Sequence, residues 1–555
     1  MTILLKFRFL VVFSPLTLEQ TKALIRSSAT KSCILDPLPI FLVKSCSEEL
    51  SPVIMNIVNT SLSKGIMPSS FKTAIVTPLL KKHGLDREFK NYRPVSNLAY
   101  VSKLIEKTVT SQINKHCEKH GLDEPLQSAY RKNHSTESAL LKVHNDIMMM
   151  KDKGMVILLT LLDLSAAFDT VNHDTLIERL QKDYGICDSA ITWFTSYLRN
   201  RDQKVIIGDA FSRTVALETG VPQGSGGGPG AYTRYTRNLG TLIRELMLLF
   251  HLFADDSQLY KSVDPRSRVS QMHGREQIEN GIEEIGKWMN RNKLKLNKYK
   301  TEFIMIGTSQ QLQKMQYSSI TVAGEAIEGK ESVRNLGCFF DNDMKMNIHV
   351  QHILKCGYFQ LRQLSVLRKC LTSKTANTLV VTLIFSKLDY CNALLFGIPD
   401  VLLDKLQKLQ NACARFVTKR RKFDHISDAL RELHWLPIRA RIEFKILIWV
   451  FKCLNQTAPV YLVRLLSLPE QSRSRRTVNQ LNLNVPRTAR KYGGDRAFCV
   501  AGPKLWNRLP YDVKQGSNLS QFRKSLKHIY LFSITAYKLF FNIKSFTTVL
   551  FSFSL

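Results

Sequence analysis

The sequence predicts a mixed α/β chain with an antiparallel hairpin near its centre and a mostly helical C-terminal part. Three observations carry this. The apolar run MVILLTLLDLS (155–165) ends at a carboxylate, which suits a buried strand. The segments LLFHLF (248–253) and SQLYKSV (257–263) flank an Asp-Asp pair, which suits a hairpin. After about residue 345, apolar residues recur at helical spacing. With 555 residues, 44% of them hydrophobic, the chain is long enough for a sizeable core and for two to four domains.

In chain order, FKNYRPVSNLAYVSKLIEKTVTSQINKH (89–116) reads as a loop entering an amphipathic helix, with Leu104, Ile105, Val109 and Ile113 on one face. Two further helices are predicted around 174–184 and 188–199. Leu402, Leu406, Leu409, Cys413 and Phe416 form an apolar stripe that reads as core packing, with Asp400 as its N-cap. The basic run Lys419, Arg420, Arg421, Lys422 follows. Residues 461–530 hold 14 Lys/Arg against 3 Asp/Glu. That segment reads as a backbone-binding surface or as a solvated basic face.

The formal net charge is +33. Such an excess repels itself unless a polyanion neutralises it, so nucleic acid is the first candidate partner. A ribosome-associated or merely basic protein would show the same balance. The 11 cysteines form no CxxC pair and no zinc-spaced cluster with histidine, which fits free thiols in a reducing compartment. The N-terminal MTILLKFRFLVVF is broken by Lys6 and Arg8 and reads as no signal. Lys538 and Lys544 interrupt the apolar tail 531–555, so no stable membrane association is expected.

Asp163, Asp255 and Asp256 are the residues that point to chemistry. Carboxylates gathered at strand ends repel one another, and a divalent cation relieves that repulsion. Mg²⁺ takes carboxylate and phosphate oxygens. Two such ions about 3.5–4 Å apart clamp an in-line phosphoryl displacement. The bland reading is a hairpin turn, where Asp is common.

The surrounding residues decide between these readings. LDLSAAFDTVNH (162–173), GVPQGS (220–225) and FADD (253–256), in this order, resemble the three palm motifs of reverse transcriptases from non-LTR, LINE-type retrotransposons of the CR1/L2-like and Jockey-like groups. TPLLKKHG (77–84), NYRPVSNLAYVSKLIEK (91–107) and QSAYRKNHSTESALLKV (127–143) resemble the family's earlier motifs. LKLNKYKTEFIMIG (294–307), VRNLGCFFD (333–341), SKLDYCNALLFGIP (386–399) and LHWLPIRARIEFK (433–445) resemble its later ones. The likeness covers about residues 30–530.

The resemblance implies a right-hand polymerase fold, α/β, with an antiparallel palm sheet and a mostly helical C-terminal region. Residues 1–29 are then a linker remnant, 30–152 fingers, 153–345 palm, 346–460 a helical thumb, 461–530 a basic C-terminal region and 531–555 an apolar tail. It implies an RNA-directed DNA polymerase working by two-metal nucleotidyl transfer on an RNA template and DNA primer. Asp163, Asp255 and Asp256 become catalytic metal ligands for two Mg²⁺, with Mn²⁺ as an alternative. Phe168 becomes the sugar gate that excludes a ribose 2′-OH, its bland reading being core packing. Gln223 and Gly224 border the incoming dNTP. Arg131 and His134 contact its triphosphate, where the bland reading of Arg131 is a salt bridge with Glu137. Lys300 is placed as the proton donor to pyrophosphate, and Asp169 has no catalytic role.

Two departures from the family pattern set an alternative function, a catalytically inactive relic acting at most as an RNA-binding protein. No endonuclease-like segment precedes the polymerase motifs, so target-primed insertion is expected to need a separate endonuclease. The stretch SGGGPGAYTRYTRNLG (225–240) replaces an expected apolar helix. There Gly226, Gly227 and Gly230 weaken a helix, and Arg234 and Arg237 would be buried or would displace it. The function implies cytoplasmic translation followed by nuclear entry.

Overall fold

The computed structural model describes residues 9–82, 84–165, 168–421, 423–468 and 481–540. Parts of the N-terminal stretch, the basic C-terminal region and the apolar tail (1–8, 469–480 and 541–555) lie outside the described residues. The chain divides into two compact units. The first comprises residues 1–130, 162–257 and 279–301, and the second 131–161, 258–278 and 302–555. Both mix helices with antiparallel strand pairs.

In the first unit the strand Ala74–Leu80 pairs antiparallel with Tyr92–Asn97 and parallel with Arg201–Ile207. The short strands Ala210–Phe211 and Val215–Leu217 complete this five-stranded sheet. The helix Tyr100–His120 follows directly and ends at Gly121, whose left-handed φ of 62° suits glycine. Leu104, Ile105, Val109 and Ile113 are buried along it, as their spacing predicts. Helices His173–Lys182 and Asp188–Leu198 stand where periodicity placed them. Asn172 caps the first by accepting from the Thr175 amide at 2.9 Å. Trp193 anchors the core. It stacks on Tyr197 at 5.2 Å, meets Phe13 edge-on and donates to Ser61 Oγ at 3.0 Å.

In the second unit the run 155–165 forms the predicted strand, Val156–Leu162, buried along almost its whole length. It pairs antiparallel with Glu302–Ile306, with Thr160 opposite Phe303, and lies next to Asp256–Val263. Two hairpins follow, Ser319–Val322 with Glu325–Glu328 and Ser332–Asn335 with Cys338–Asp341. From Asn347 onward the described residues are mostly helical, as predicted, and every described element there is a helix. Leu402, Leu406, Leu409 and Cys413 are buried on the helix Asp400–Thr418, while Phe416 is half-buried beneath Arg368.

One expectation is corrected. Asp400 does not cap this helix. Pro399 occupies the N-cap position, and the Asp400 carboxylate instead takes Arg439 Nη2 at 2.6 Å.

Late residues brace early ones in this unit. The Asp152 carboxylate accepts the amides of Ala489, Arg490 and Gly494 at 2.8–3.2 Å. Arg496 is 3% exposed and donates to the carbonyls of Phe396, Met344 and Leu394. Burial lowers its pKa to about 10, against the pull of Asp341 and Asp343. Part of the basic segment 461–530 is therefore structural, and Lys504 is likewise paired with Asp495 at 2.7 Å.

All 11 cysteines are free, as their spacing predicts. Among the described residues no helix is long and apolar enough to cross a membrane.

His349 gives a pH test. Burial, then the neighbouring His352, lower its pKa from 6.5 to about 4, so the folded chain prefers the neutral ring. Its stabilising contribution is present above pH 6.5 and is lost as pH falls toward 4, at most about 3 kcal/mol. The melting temperature should fall with pH across that window, and less steeply in His349→Gln. Equal slopes for both chains would remove His349 as the cause.

Candidate active site

The three aspartates all belong to the first unit. Asp163 follows the strand Val156–Leu162 and precedes the two-residue strand Leu164–Ser165. That short strand pairs with Lys295–Leu296, Leu296 facing Leu164, and the Asn297 amide donates to the Asp163 carbonyl at 3.0 Å. The ladder brings the following single turn, Lys298–Lys300, against the carboxylate. Lys300 Nζ stands 3.2 Å from Asp163 Oδ2.

Asp255 lies in the tight turn between Leu249–Phe253 and the next strand, of which Asp256 is the first residue. The turn proper is thus Ala254-Asp255 rather than the Asp-Asp pair. Ala254 has a φ of 56°, a left-handed conformation that costs a residue with a Cβ roughly 1 kcal/mol or more. Gln127 holds it there. Its Oε1 accepts the Ala254 amide at 2.9 Å, and its Nε2 donates to the Ala254 carbonyl at 3.3 Å. The flanking backbone adds Leu252 N to Leu126 O and Ser128 N to Leu252 O.

Electrostatics link the three carboxylates. Partial desolvation, then the charges of Asp255 and Asp163, push Asp256 up to about 6. Desolvation and Asp163 also raise Asp255, opposed by its own backbone amide, Lys300 and Arg93. Hard oxygen donors of which two, Asp255 and Asp256, are raised by desolvation and then by their carboxylate neighbours suit a hard divalent cation. Among the described residues, however, no group of three Asp, Glu, His or Cys is set as a ready metal cluster. Lys300 supplies the positive charge nearest Asp163.

Phe168 is half-buried and stacks on Tyr232, with ring centroids 4.9 Å apart. Tyr232 is fully buried, and its hydroxyl is raised well above 10 by burial and by the charges of Asp255 and Asp256. The Phe168 ring is thereby connected to the aspartates through one side chain. The loop 220–224 lies across the Phe168 backbone. Val221 N donates to Phe168 O at 2.9 Å and Gly220 N to Val171 O at 2.8 Å. On its other side, Ser96 N donates to Gln223 O at 2.7 Å. Gly224 has a φ of 122°, and a Cβ there would fall 2.6 Å from the Ser96 carbonyl oxygen. Gln223 is half-buried and Gly224 exposed.

The irregular stretch 225–240 is accommodated. It forms two helices, Gly228–Tyr235 and Arg237–Glu245, interrupted at Thr236. Gly226 N and Gly227 N donate to Glu106 Oε2 at 2.6 and 3.2 Å, and Gly228 N to Ser225 Oγ at 2.8 Å. Glu106 is 1% exposed, and burial raises its pKa against the opposing pull of Arg201 and these two amides. Glycines at 226 and 227 therefore let the backbone meet a buried carboxylate, which compensates for poor helix propensity. Arg234 is buried as the sequence predicts, but it has partners: Asn114 Oδ1 at 2.6 Å, with Asp123 3.9 Å away. Arg237 is half-buried and donates to Leu122 O at 2.5 Å.

Arg131 and His134 fall in the second unit, ahead of the helix Thr136–Asp152. His134 Nδ1 lies 2.8 Å from the Lys132 carbonyl, and its ring packs edge-on against Tyr461. Glu137, the alternative partner considered for Arg131, meets Lys445 at 3.3 Å and Trp449 Nε1 at 3.1 Å.

Sequence reasoning passed over three residues around the aspartates. Gln127 and Glu106 sit inside quoted motifs, but an amide or carboxylate that serves mainly distant backbone gives no local signal. Tyr232 lies in the stretch read as anomalous.

Residues 80–340 match the family described as reverse transcriptase (RNA-dependent DNA polymerase), so the chain carries a reverse transcriptase domain. It is 24% identical over 377 residues to the probable RNA-directed DNA polymerase from transposon BS of Drosophila melanogaster, covering 65% of this chain and 40% of that one. It is 26% identical over 259 residues to the RNA-directed DNA polymerase from mobile element jockey of Drosophila funebris, covering 45% and 28%. It is 24% identical over 220 residues to the retrovirus-related Pol polyprotein from type-1 retrotransposable element R2 of Popillia japonica, covering 38% and 30%. The chain thus spans less than half the length of these relatives. The likeness read from the palm motifs is borne out.

Two substitutions probe the site. Glu106→Ala should lower stability by about 1–3 kcal/mol, since it leaves two loop amides without their acceptor and removes the opposite charge that Arg201 feels, as read by denaturant unfolding. Gly224→Ala should lower the melting temperature, because a Cβ there would fall 2.6 Å from the Ser96 carbonyl oxygen at a φ that strains it. An unchanged melting temperature would show that the close approach to Ser96 does not set the loop.

Proposed function

We propose that the chain is an RNA-directed DNA polymerase of a LINE-type retrotransposon, extending a DNA primer along an RNA template with dNTPs. The observation that carries this reading is that Asp163, Asp255 and Asp256 lie in one unit within reach of one another's charge, Asp256 being pushed up to about 6 by desolvation and then by Asp255 and Asp163.

In this reading the three carboxylates hold two Mg²⁺, or Mn²⁺. Such ions, when bound, lower the pKa of the attacking hydroxyl and steady the leaving pyrophosphate. Lys300 neutralises Asp163 until the ions arrive and then serves pyrophosphate as a proton donor. Phe168, fixed by its stack on Tyr232, stands against the sugar and disfavours a 2′-OH. Gln223 and Gly224 border the nucleotide, their loop held on Ser96 and on the Phe168 backbone. The family likeness assigns the triphosphate to Arg131 and His134.

The right-hand arrangement, with fingers 30–152, palm 153–345 and thumb 346–460, belongs to the same proposal. So do a separate endonuclease and nuclear entry after translation.

A second reading is an inactive RNA-binding chain. The contact of Lys300 with Asp163, without a ready three-ligand cluster among the described residues, favours it.

Primer extension on poly(rA)/oligo(dT) with dTTP and Mg²⁺ separates the two. Extension by the natural chain, and at least a thousandfold less by the Asp255→Ala, Asp256→Ala double variant, is expected. No extension by a folded natural chain that still binds the hybrid would leave the second reading. Phe168→Ala should raise the use of UTP relative to dTTP at least tenfold in the same assay. An unchanged ratio would return Phe168 to simple packing.

A further inference from the structure

The second unit holds a cavity of about 360 Å³ that reaches from His134, the residue the family likeness assigns to the triphosphate, to Tyr390 and Lys452, which the polymerase reading does not use. That size is in the range of small-ligand sites. One wall is a single face of the helix Ile438–Leu454, where Lys445, Trp449 and Lys452 recur at helical spacing. The opposite side holds Tyr390 and the start of the helix Thr136–Asp152.

The charges of this cavity are unbalanced. Its two carboxylates are already taken. Asp389 accepts Arg441 Nε at 2.9 Å and Nη2 as well, and Glu137 pairs with Lys445 at 3.3 Å. Lys452 sits over the Trp449 ring, 4.7 Å from its centroid, with no carboxylate within ion-pair distance among the described residues. Burial and the like charges of Arg523 and Lys445 lower its pKa, with the charge of Glu137 only partly opposing them. The amides at the helix start are not what offers the charge, because Ser135 already closes a capping box there.

The cavity also offers an aromatic face. Tyr390 is 38% exposed and fixed, since its hydroxyl donates to Leu336 O at 2.7 Å. A rigid half-exposed ring beside an unmatched cation suits a base joined to a phosphate.

We propose that this cavity holds one nucleotide of a single-stranded nucleic acid, its phosphate on Lys452 and its base against Tyr390. The proposal rests on the polymerase reading only for the source of the strand. It places a strand contact of the second unit in residues 390–452, upstream of the basic segment 461–530.

The test is binding of a fluorescein-labelled, 12-nucleotide single-stranded RNA to the full chain between 50 and 200 mM KCl. Lys452→Gln should weaken binding about three- to tenfold and reduce the salt slope by about 0.7, the value for one phosphate of a single strand. Tyr390→Ala should weaken binding at least fivefold with the slope unchanged. Both variants should melt within a few degrees of the natural chain and keep their primer-extension kcat at saturating template. Unchanged RNA affinity and slope in both folded variants would overturn the proposal. So would a raised KM for dTTP in Lys452→Gln with RNA binding intact, which would make the cavity a site for free nucleotides. A natural chain that binds RNA through Lys452 yet extends no primer would support the cavity and sink the polymerase reading.

Discussion

Asp163, Asp255 and Asp256 repel one another, and the surrounding backbone holds them in place regardless. Two of them are fixed by contacts made elsewhere. The ladder at Leu164 and Leu296 fixes Asp163, and the Gln127 amide fixes the turn that carries Asp255. The repulsion is left standing in the raised Asp255 and Asp256 carboxyls, with Lys300 offsetting it at Asp163. A site strained in this way gains more from a cation than a relaxed one would, since binding removes a cost already present. The hydroxyl of Tyr232, on which Phe168 stacks, feels that charge as well.

The same logic applies one layer back. The stretch 225–240 breaks the expected apolar pattern, and a buried carboxylate answers the break. Glu106 takes the two glycine amides, and Arg234 finds Asn114 and Asp123. Polar groups buried together are stable only when their partners are present, so this layer is less tolerant of substitution than an apolar helix would be.

Much of this was legible in the sequence because the signals are local. Apolar run 155–165, the period of 104–113 and the stripe at 402–413 each report burial through spacing alone, and each element formed as read. Asp163, Asp255 and Asp256 stood out because carboxylates at strand ends need a reason. What stayed hidden depends on distant partners. Gln127 is an ordinary polar residue until Ala254 turns left-handed beside it, and Glu106 looks like one charge on an amphipathic helix until two glycines arrive. Asp400 was misread for a related reason. Its position suited a cap, but Arg439, on a later helix, claimed its carboxylate.

The bracing of Asp152 has a consequence for how the chain matures. Its carboxylate awaits amides at 489, 490 and 494, and the carbonyls of Met344, Leu394 and Phe396 await Arg496. These contacts span from 100 to more than 300 positions. The closing contacts of the second unit therefore cannot form until residues 489–496 have been synthesised. The C-terminal end of its early helix Thr136–Asp152 waits more than 300 residues for these neighbours, an interval in which chaperones have first access to it.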